Sequence, residues 1–384
     1  LLAGGSYVPI DPAHPQERRT RLVERAGCLL TLDAETLGLI EVPDATIEPD
    51  WPMPSFEDEA YLLYTSGSTG EPKGVPISHR GLADYLQFAQ SAYVPADHRP
   101  VAALFTALTF DLTVTSLFVP LLAQGRIVVI GAEGPAAVRE LAEDRRITWA
   151  KATPSHLGLL VRLLAGQGEG VHGIDSGDRV PDPHQLETLV VGGEAFGSQL
   201  ATDLWRVLPQ VEIFNEYGPT EAVVGCMIHR ADPDELADRA DVPIGRPAPG
   251  VELRVLDQAD MPVPVGAPGE LLISHRGVTS GYLDPADGDG RFVELEGKRF
   301  YRSGDLVRLS DDRTLAYLGR IDEQMKVGGI RLDPTEVEHA LTAHPLIERA
   351  VVRLWQPTGS RPTRHCVRCG LPDNVPEVTF DEEG

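Results

Sequence analysis

Short apolar or β-branched runs alternate along the chain with segments of helical period. "YVPI" (7–10), "YLLYT" (61–65), "VAALF" (101–105), "RIVVI" (126–130), "ITWAKA" (147–152), "LETLVVGG" (186–193) and "VEIFNEYG" (211–218) predict buried strands. "HPQERRTRLVERAG" (14–27), "AAVRELAEDRR" (136–146) and "HLGLLVRLLAGQG" (156–168) predict helices, the first stopped by Gly27. Strands spaced by helices imply an α/β architecture with largely parallel sheets. From about Val242 the texture changes. "VELRVLDQADMPVPVGAPGELLISHRG" (251–277) alternates and is punctuated by Pro and Gly, which predicts an antiparallel β unit. After Arg320, "IDEQMKVGGIRLDPTEVEHALTAHP" reads as a hinge, a hairpin and a capped helix. Asp333 is the expected N-cap, Pro334 opens the helix and Glu336 completes a capping box. Residues 166–184 read as a polar loop.

Composition narrows the function classes. Hydrophobic residues make up 42% of the 384, enough for a sizeable core. The 34 Lys and Arg against 58 Asp and Glu give a formal charge of -24. That argues against a nucleic-acid partner, because phosphate backbones reward basic residues. No stretch reaches the roughly 18 unbroken apolar residues of a membrane helix. The richest region, 101–130, is interrupted by Asp111, Gln124 and Arg126. The four cysteines give no disulfide framework, so Cys28 and Cys226 are expected to be buried and inert in a reducing cytoplasm. The chain opens on Leu1 and stops at Gly384, which suggests a piece of a longer protein.

The candidate chemistry begins at "TSGSTGEPKG" (65–74), directly after a strand-like run. Its glycines tolerate positive φ, so consecutive N–H groups can curl around an anion. Ser66, Ser68 and Thr69 add hydroxyls, and Lys73 adds a mobile charge suited to phosphate. The spacing does not satisfy the Walker A pattern. The loop resembles the phosphate loop of the ANL superfamily of adenylate-forming enzymes, and more narrowly that of amino-acid adenylation domains of nonribosomal peptide synthetases. "LLAGGSYVPIDPAHPQERR" precedes it. "FDLTVTSLF" (110–118), "VGGEA" (191–195), "NEYGPTE" (215–221), "GELLISHRGVTSGYL" (269–283), "YRSGDL" (301–306) and "GRIDEQMKVGGIRLDPTEVE" (319–338) follow in family order. The resemblance covers residues 1 to about 353.

The resemblance implies a large adenylate-forming subdomain of mixed sheets flanked by helices, with a distorted β-barrel part. It would span residues 1–321 without its N-terminal portion. A truncated small α+β subdomain would start at the hinge residue Asp322 and run to 355, with a linker and tail over 356–384. The implied reaction joins an amino-acid carboxylate to the α-phosphorus of ATP with Mg2+, releases pyrophosphate, and passes the aminoacyl group to the phosphopantetheine thiol of a peptidyl carrier protein. Other synthetase domains would share the polypeptide. The implied nucleotide-binding positions are Thr65, Ser66, Gly67, Ser68, Thr69, Gly70, Lys73, Gly193, Glu194, Ala195, Asn215, Tyr217, Gly218, Thr220, Asp305 and Arg320. Among them, Tyr217 would stack on adenine and Asp305 would accept from the ribose hydroxyls. Thr69 and Glu221 match magnesium-associated positions. With Lys73 they form the implied catalytic set.

The implied amino-acid pocket comprises Asp111, Leu112, Thr115, Lys151, Val190, Gly192, Glu216, Val224 and Gly225. Asp111 matches the carboxylate that pairs with the substrate ammonium. Lys151 and Glu216 do not suit a bland core, because buried charges need partners. Lys151 can donate to a side-chain oxygen and Glu216 can accept from an amide, and asparagine presents both groups. Aspartate would meet Glu216 as a like charge. The pocket string is similar to the family's asparagine pockets, with aspartate pockets the near neighbour. An acyl- or aryl-CoA ligase of the same superfamily is opposed by Asp111, Lys151 and Glu216. A degenerate domain kept as a binding module is a further alternative, because the family's catalytic lysine loop is not found after Leu354. Lys326 belongs to a different motif. In the tail, Cys366 and Cys369 form half a zinc site at most. The segment from "CVRCGLP" to "TFDEEG" resembles the start of PP-loop amidotransferase-like proteins.

Overall fold

Glu59–Thr65 (β1) and Lys73–Ser78 (β2) pair antiparallel, with Thr65 opposite Lys73, so both ends of the glycine-rich loop are anchored on one hairpin. The computed structural model describes residues 1, 4–33, 36, 53–66, 71–166, 185–288, 290–322, 324–327, 330–342, 344, 347 and 349–353. Gly67, Ser68, Thr69 and Gly70, the polar loop at 167–184, and Cys366 and Cys369 with the rest of the tail lie outside these residues.

The predicted parallel sheet is present. Val101–Leu104 (β3), Arg126–Val129 (β4), Trp149–Ala152 (β5), Thr188–Val191 (β6) and Glu212–Tyr217 (β7) run parallel. Met227–Arg230 (β8) and Arg246–Pro247 (β9) add antiparallel strands in the order β4-β3-β5-β6-β7-β8-β9. Strand order reverses between β3 and β5, which opens a crevice at their carboxyl ends. β5 and β6 are buried on both faces, as expected of strands covered by helices.

The helices follow their sequence signals. Gln16–Ala26 (α1) ends at Gly27, which adopts φ 62°. His79–Tyr93 (α2) starts at Ser78, whose side chain accepts from the Gly81 N–H. Leu112–Leu122 (α3) follows Asp111, and Gly134–Glu143 (α4) follows β4. Pro154–Leu164 (α5) is capped by Thr153, and Ser198–Val207 (α6) connects β6 to β7. α2 and α3 share an apolar cluster with Trp149, Val190, Phe214 and Val224 on one face of the sheet. α4, α5 and α6 pack the other face through Val138, Leu160 and Leu204.

Beyond β9 the predicted antiparallel unit forms. Glu252–Leu256 (β10), Pro268–Ser274 (β11), Phe292–Leu295 (β12), Lys298–Leu309 (β13) and Leu315–Arg320 (β14) make a five-stranded sheet. The hairpin Met325–Val327 (β15) and Ile330–Leu332 (β16) precedes Pro334–Thr342 (α7). Asp333 caps α7 by accepting from the Thr335 N–H at 3.1 Å. Glu336, expected to close a capping box, gives its carboxylate to Arg18 of α1 at 2.9 Å.

Two expectations are corrected. "YVPI" makes no strand and contributes one bridge, Tyr7 to Tyr61, because Pro9 has no N–H for a ladder. Cys226 is buried, but Cys28 is half-exposed at the end of α1.

Candidate functional site

β5 and β7 are separated only by β6. In register, Lys151 lies beside Val190, and Val190 beside Phe214. Glu216 is two residues beyond Phe214, so the strand period of two puts it on the same face as Lys151. The two long side chains meet across Val190 as an ion pair, each 2% exposed. Lys151 Nζ also donates to Thr115 Oγ1 at 2.8 Å and lies 3.4 Å from the Tyr85 hydroxyl. The hydroxyls of Tyr85 and Tyr93 donate to Glu216 Oε1 at 2.9 and 2.7 Å. Burial, reinforced by the Glu216 charge, raises both phenols well above the usual tyrosine range. Gly192 and Gly225 leave room for the pair. A Cβ at Gly225 would stand 2.3 Å from Glu216 Cδ.

At the end of β7 the chain turns through Pro219 into a short 3₁₀ segment, Thr220–Ala222. Val223 closes the turn at φ 72°, a strained conformation for a β-branched residue, held by its buried side chain. The turn presents Glu221, fully buried, which accepts from the Tyr282 hydroxyl at 2.7 Å. Lys73 lies over the Tyr282 ring at 5.4 Å and donates to the Asp287 carbonyl at 3.1 Å. Thr220 Oγ1 donates to Asp111 Oδ2 at 2.6 Å, which ties this turn to the start of α3.

A second cluster joins the parallel sheet to the antiparallel one. The Tyr217 hydroxyl donates to Asp305 Oδ2, and burial raises this phenol well above its usual range. Arg320 Nη1 donates to Asp305 Oδ1 at 2.9 Å and to the Ser303 carbonyl at 2.8 Å. Its other nitrogens grip Asp322 at 2.7 and 2.6 Å, and Arg291 adds a contact at 3.1 Å. Burial alone would raise the Asp322 carboxyl, but Arg320 and Arg291 hold it below the ordinary range. Beside this cluster a cavity is lined by Gly193, Glu194, Ala195, Tyr217, Asp241 and Tyr317, among others.

The AMP-binding enzyme family matches residues 1–283. This chain belongs to that family. It is 39% identical over 370 residues to bacitracin synthase 3 of Bacillus licheniformis, across 92% of this chain and 6% of that protein. Among solved structures it resembles PA1221, a nonribosomal peptide synthetase protein containing adenylation and PCP domains bound to a vinylsulfonamide inhibitor. The TM-score is 0.74 at 26% identity, covering 90% of this chain and 60% of that one. The Vibrio cholerae adenylation domain AlmE, solved with glycyl-adenosine-5'-phosphate, gives a TM-score of 0.74 at 25% identity, covering 89% and 70%. The chain spans only a small part of the length of bacitracin synthase 3.

In this AMP-binding chain the predicted residues fall into separate groups. Thr115, Lys151, Gly192, Glu216 and Gly225 converge on the buried pair, with Val190 and Val224 in the adjoining apolar cluster. Leu112 departs from them and lines a separate cavity of about 510 Å³ with Phe105, Thr153 and His156 at the β3/β5 crevice. Gly193, Glu194, Ala195, Asn215, Tyr217 and Gly218 line one cavity, with Asp305 and Arg320 bonded at its edge. Asn215 spends its amide on the Val242 and Pro243 carbonyls, at 3.1 and 2.9 Å. Thr65 ends β1 with Ser66 next, and Lys73 begins β2. Thr69 lies outside the described residues, so Glu221 alone represents the expected metal pair. Among the described residues no cluster of three or more His, Cys, Asp or Glu could hold a metal ion, and no helix is long and apolar enough to cross a membrane.

Tyr85, Tyr93, Tyr282, Asp241, Tyr317 and Arg291 were missing from the sequence reading. The one available signal was spacing: Tyr85 and Tyr93 are eight residues apart, two turns along one helix face.

Proposed function

We propose that this chain is an amino-acid adenylation unit of a nonribosomal peptide synthetase, and that its amino acid is asparagine. The observation that carries the substrate choice is the buried Lys151–Glu216 pair. Two opposite charges in contact make a floor that is net neutral yet rich in hydrogen-bonding atoms. Such a floor suits a carboxamide, which donates and accepts. A carboxylate would add an uncompensated charge in a site away from water. Asp111, at the mouth of α3, supplies the carboxylate for the substrate ammonium, and Thr220 orients it.

In the reaction a carboxylate oxygen of the amino acid attacks the α-phosphorus of ATP. The bond from that phosphorus to the oxygen of the departing pyrophosphate breaks. Both reactants are anions, so the site must neutralise and align them. The Tyr217 ring and the Gly193–Ala195 turn form the adenine side of the cavity. Asp305, already oriented by Tyr217 and Arg320, accepts from the ribose hydroxyls. Lys73, at the start of β2, meets the phosphates. Glu221, a buried hard-oxygen donor, fits Mg2+, and Thr69 would complete the pair. When bound, that ion would neutralise phosphate charge. The division at Asp322, the carrier protein, its phosphopantetheine arm and neighbouring synthetase domains belong to the same proposal.

Thermal-shift binding of two non-hydrolysable aminoacyl-adenylate mimics, one of asparagine and one of aspartate, tests it. Ligand affinity for the folded state raises Tm by mass action. The asparagine mimic is expected to give the larger shift. A larger shift with aspartate would overturn the substrate, and no shift with either mimic would overturn adenylate binding by this chain.

A further inference from the structure

The bonding around Glu216 involves two residues outside every motif of the sequence. We propose that Tyr85 and Tyr93 of α2 are positioning residues for substrate choice: they hold Glu216 against Lys151 and thereby make the floor select a neutral polar side chain over an acidic one. The proposal rests on the reading that this pair is the floor of the amino-acid pocket.

The hydrogen-bond directions are mutually consistent. Each phenol has one proton, and both aim at Glu216 Oε1. With its proton spent there, the Tyr85 oxygen is an acceptor for the Thr115 hydroxyl and faces the Lys151 ammonium. Thr115 in turn accepts from Lys151 at 2.8 Å. The other Glu216 oxygen is left to Lys151. The carboxylate is thus gripped at both oxygens from two different elements, α2 and β5.

That grip matters because there is space nearby. Tyr85 and Gly225 also line a cavity of about 510 Å³ that reaches Asp84, His275 and Arg276. Glu216 packs on Gly225, which has no side chain to confine it. Once a phenol is removed, Glu216 can turn from Lys151 toward this space. Lys151 is then free to meet an acidic side chain.

The test uses the full-length protein carrying this sequence, with Tyr85→Phe and Tyr93→Phe variants. ATP–pyrophosphate exchange is measured with asparagine and with aspartate. For each variant the ratio of kcat/KM, asparagine over aspartate, is expected to fall about tenfold or more, the scale of one lost hydrogen bond to a charged group. The change is expected in KM for the amino acid, with KM for ATP unaltered. A loss of activity equal for both amino acids, or an unchanged ratio, would overturn the positioning role and leave the asparagine reading in place. A wild type that prefers another neutral polar amino acid would overturn asparagine alone; the ratio is then taken for that residue against aspartate. A wild type that prefers aspartate would overturn both. Melting curves establish folding. Should Tyr85→Phe unfold, Tyr93→Phe carries the test, since its hydroxyl bonds Glu216 without touching Lys151 or Thr115.

Discussion

Gly225 sits so close to Glu216 that a Cβ there would lie 2.3 Å from Glu216 Cδ and 2.6 Å from Oε1. The glycine is required by the carboxylate and not by its own backbone angle. Gly225→Ala is therefore expected to push Glu216 off Lys151 and leave a buried charge poorly paired. The cost should approach that of breaking a buried pair, about 3 kcal/mol. Urea unfolding measures it, and a loss below about 1 kcal/mol would mean that Glu216 has somewhere else to go.

The pair itself separates stability from selectivity. Lys151→Met should destabilise by about 3–5 kcal/mol, because it strands Glu216 among phenols. Adding Glu216→Leu should recover most of that loss, since two apolar side chains need no partners. Neither variant should retain the preference for asparagine. If the double variant is no more stable than the single one, or if it keeps the preference, the neutral floor is not what selects the substrate.

Arg320 bonds Asp305, Ser303, Asp322 and Gln324 with one guanidinium. Arg320→Ala leaves the buried Asp305 with one fewer charged partner and should cost about 2 kcal/mol. Affinity for ATP should fall with it. Arg320→Lys should recover little, because a point charge cannot span three carboxylate oxygens and a carbonyl. Calorimetric titration with a non-hydrolysable ATP analogue checks this, and wild-type affinity in the lysine variant would refute it.

The parallel sheet was legible because β5 and β6 are short, largely apolar runs of the kind that a doubly covered strand uses. "YVPI" was misread because its apolar run suggests a strand, although Pro9 lacks the N–H that a ladder needs. Lys151 and Glu216 stood out as charges in core positions, but sequence reasoning assigned their partners to a ligand. The register across β6 joins them to each other instead. Tyr85 and Tyr93 were not legible. On an amphipathic helix such tyrosines read as core packing, and only the docking of α2 over β7 brings their hydroxyls to one carboxylate oxygen.

His275, at the edge of the cavity behind Tyr85, should make the fold acid-sensitive. Its Nδ1 accepts from the Gly277 N–H at 3.0 Å. Burial lowers its pKa to about 4, opposed in part by the Ala222 carbonyl and the charge of Asp84. The folded state thus binds the proton less readily than the unfolded chain, whose histidine titrates near 6.5. Stability from this group is complete above pH 6.5 and is lost as pH falls through the folded value near 4. Between pH 7.5 and 4.5 the loss should be on the order of 2–3 kcal/mol. His275→Gln, which cannot take up the proton, should unfold in urea with that much less pH dependence than the wild type. All other ionisable groups are common to the two proteins, so the difference between their profiles is assigned to His275. Parallel pH profiles would place its titration in the ordinary range and show that water reaches the ring.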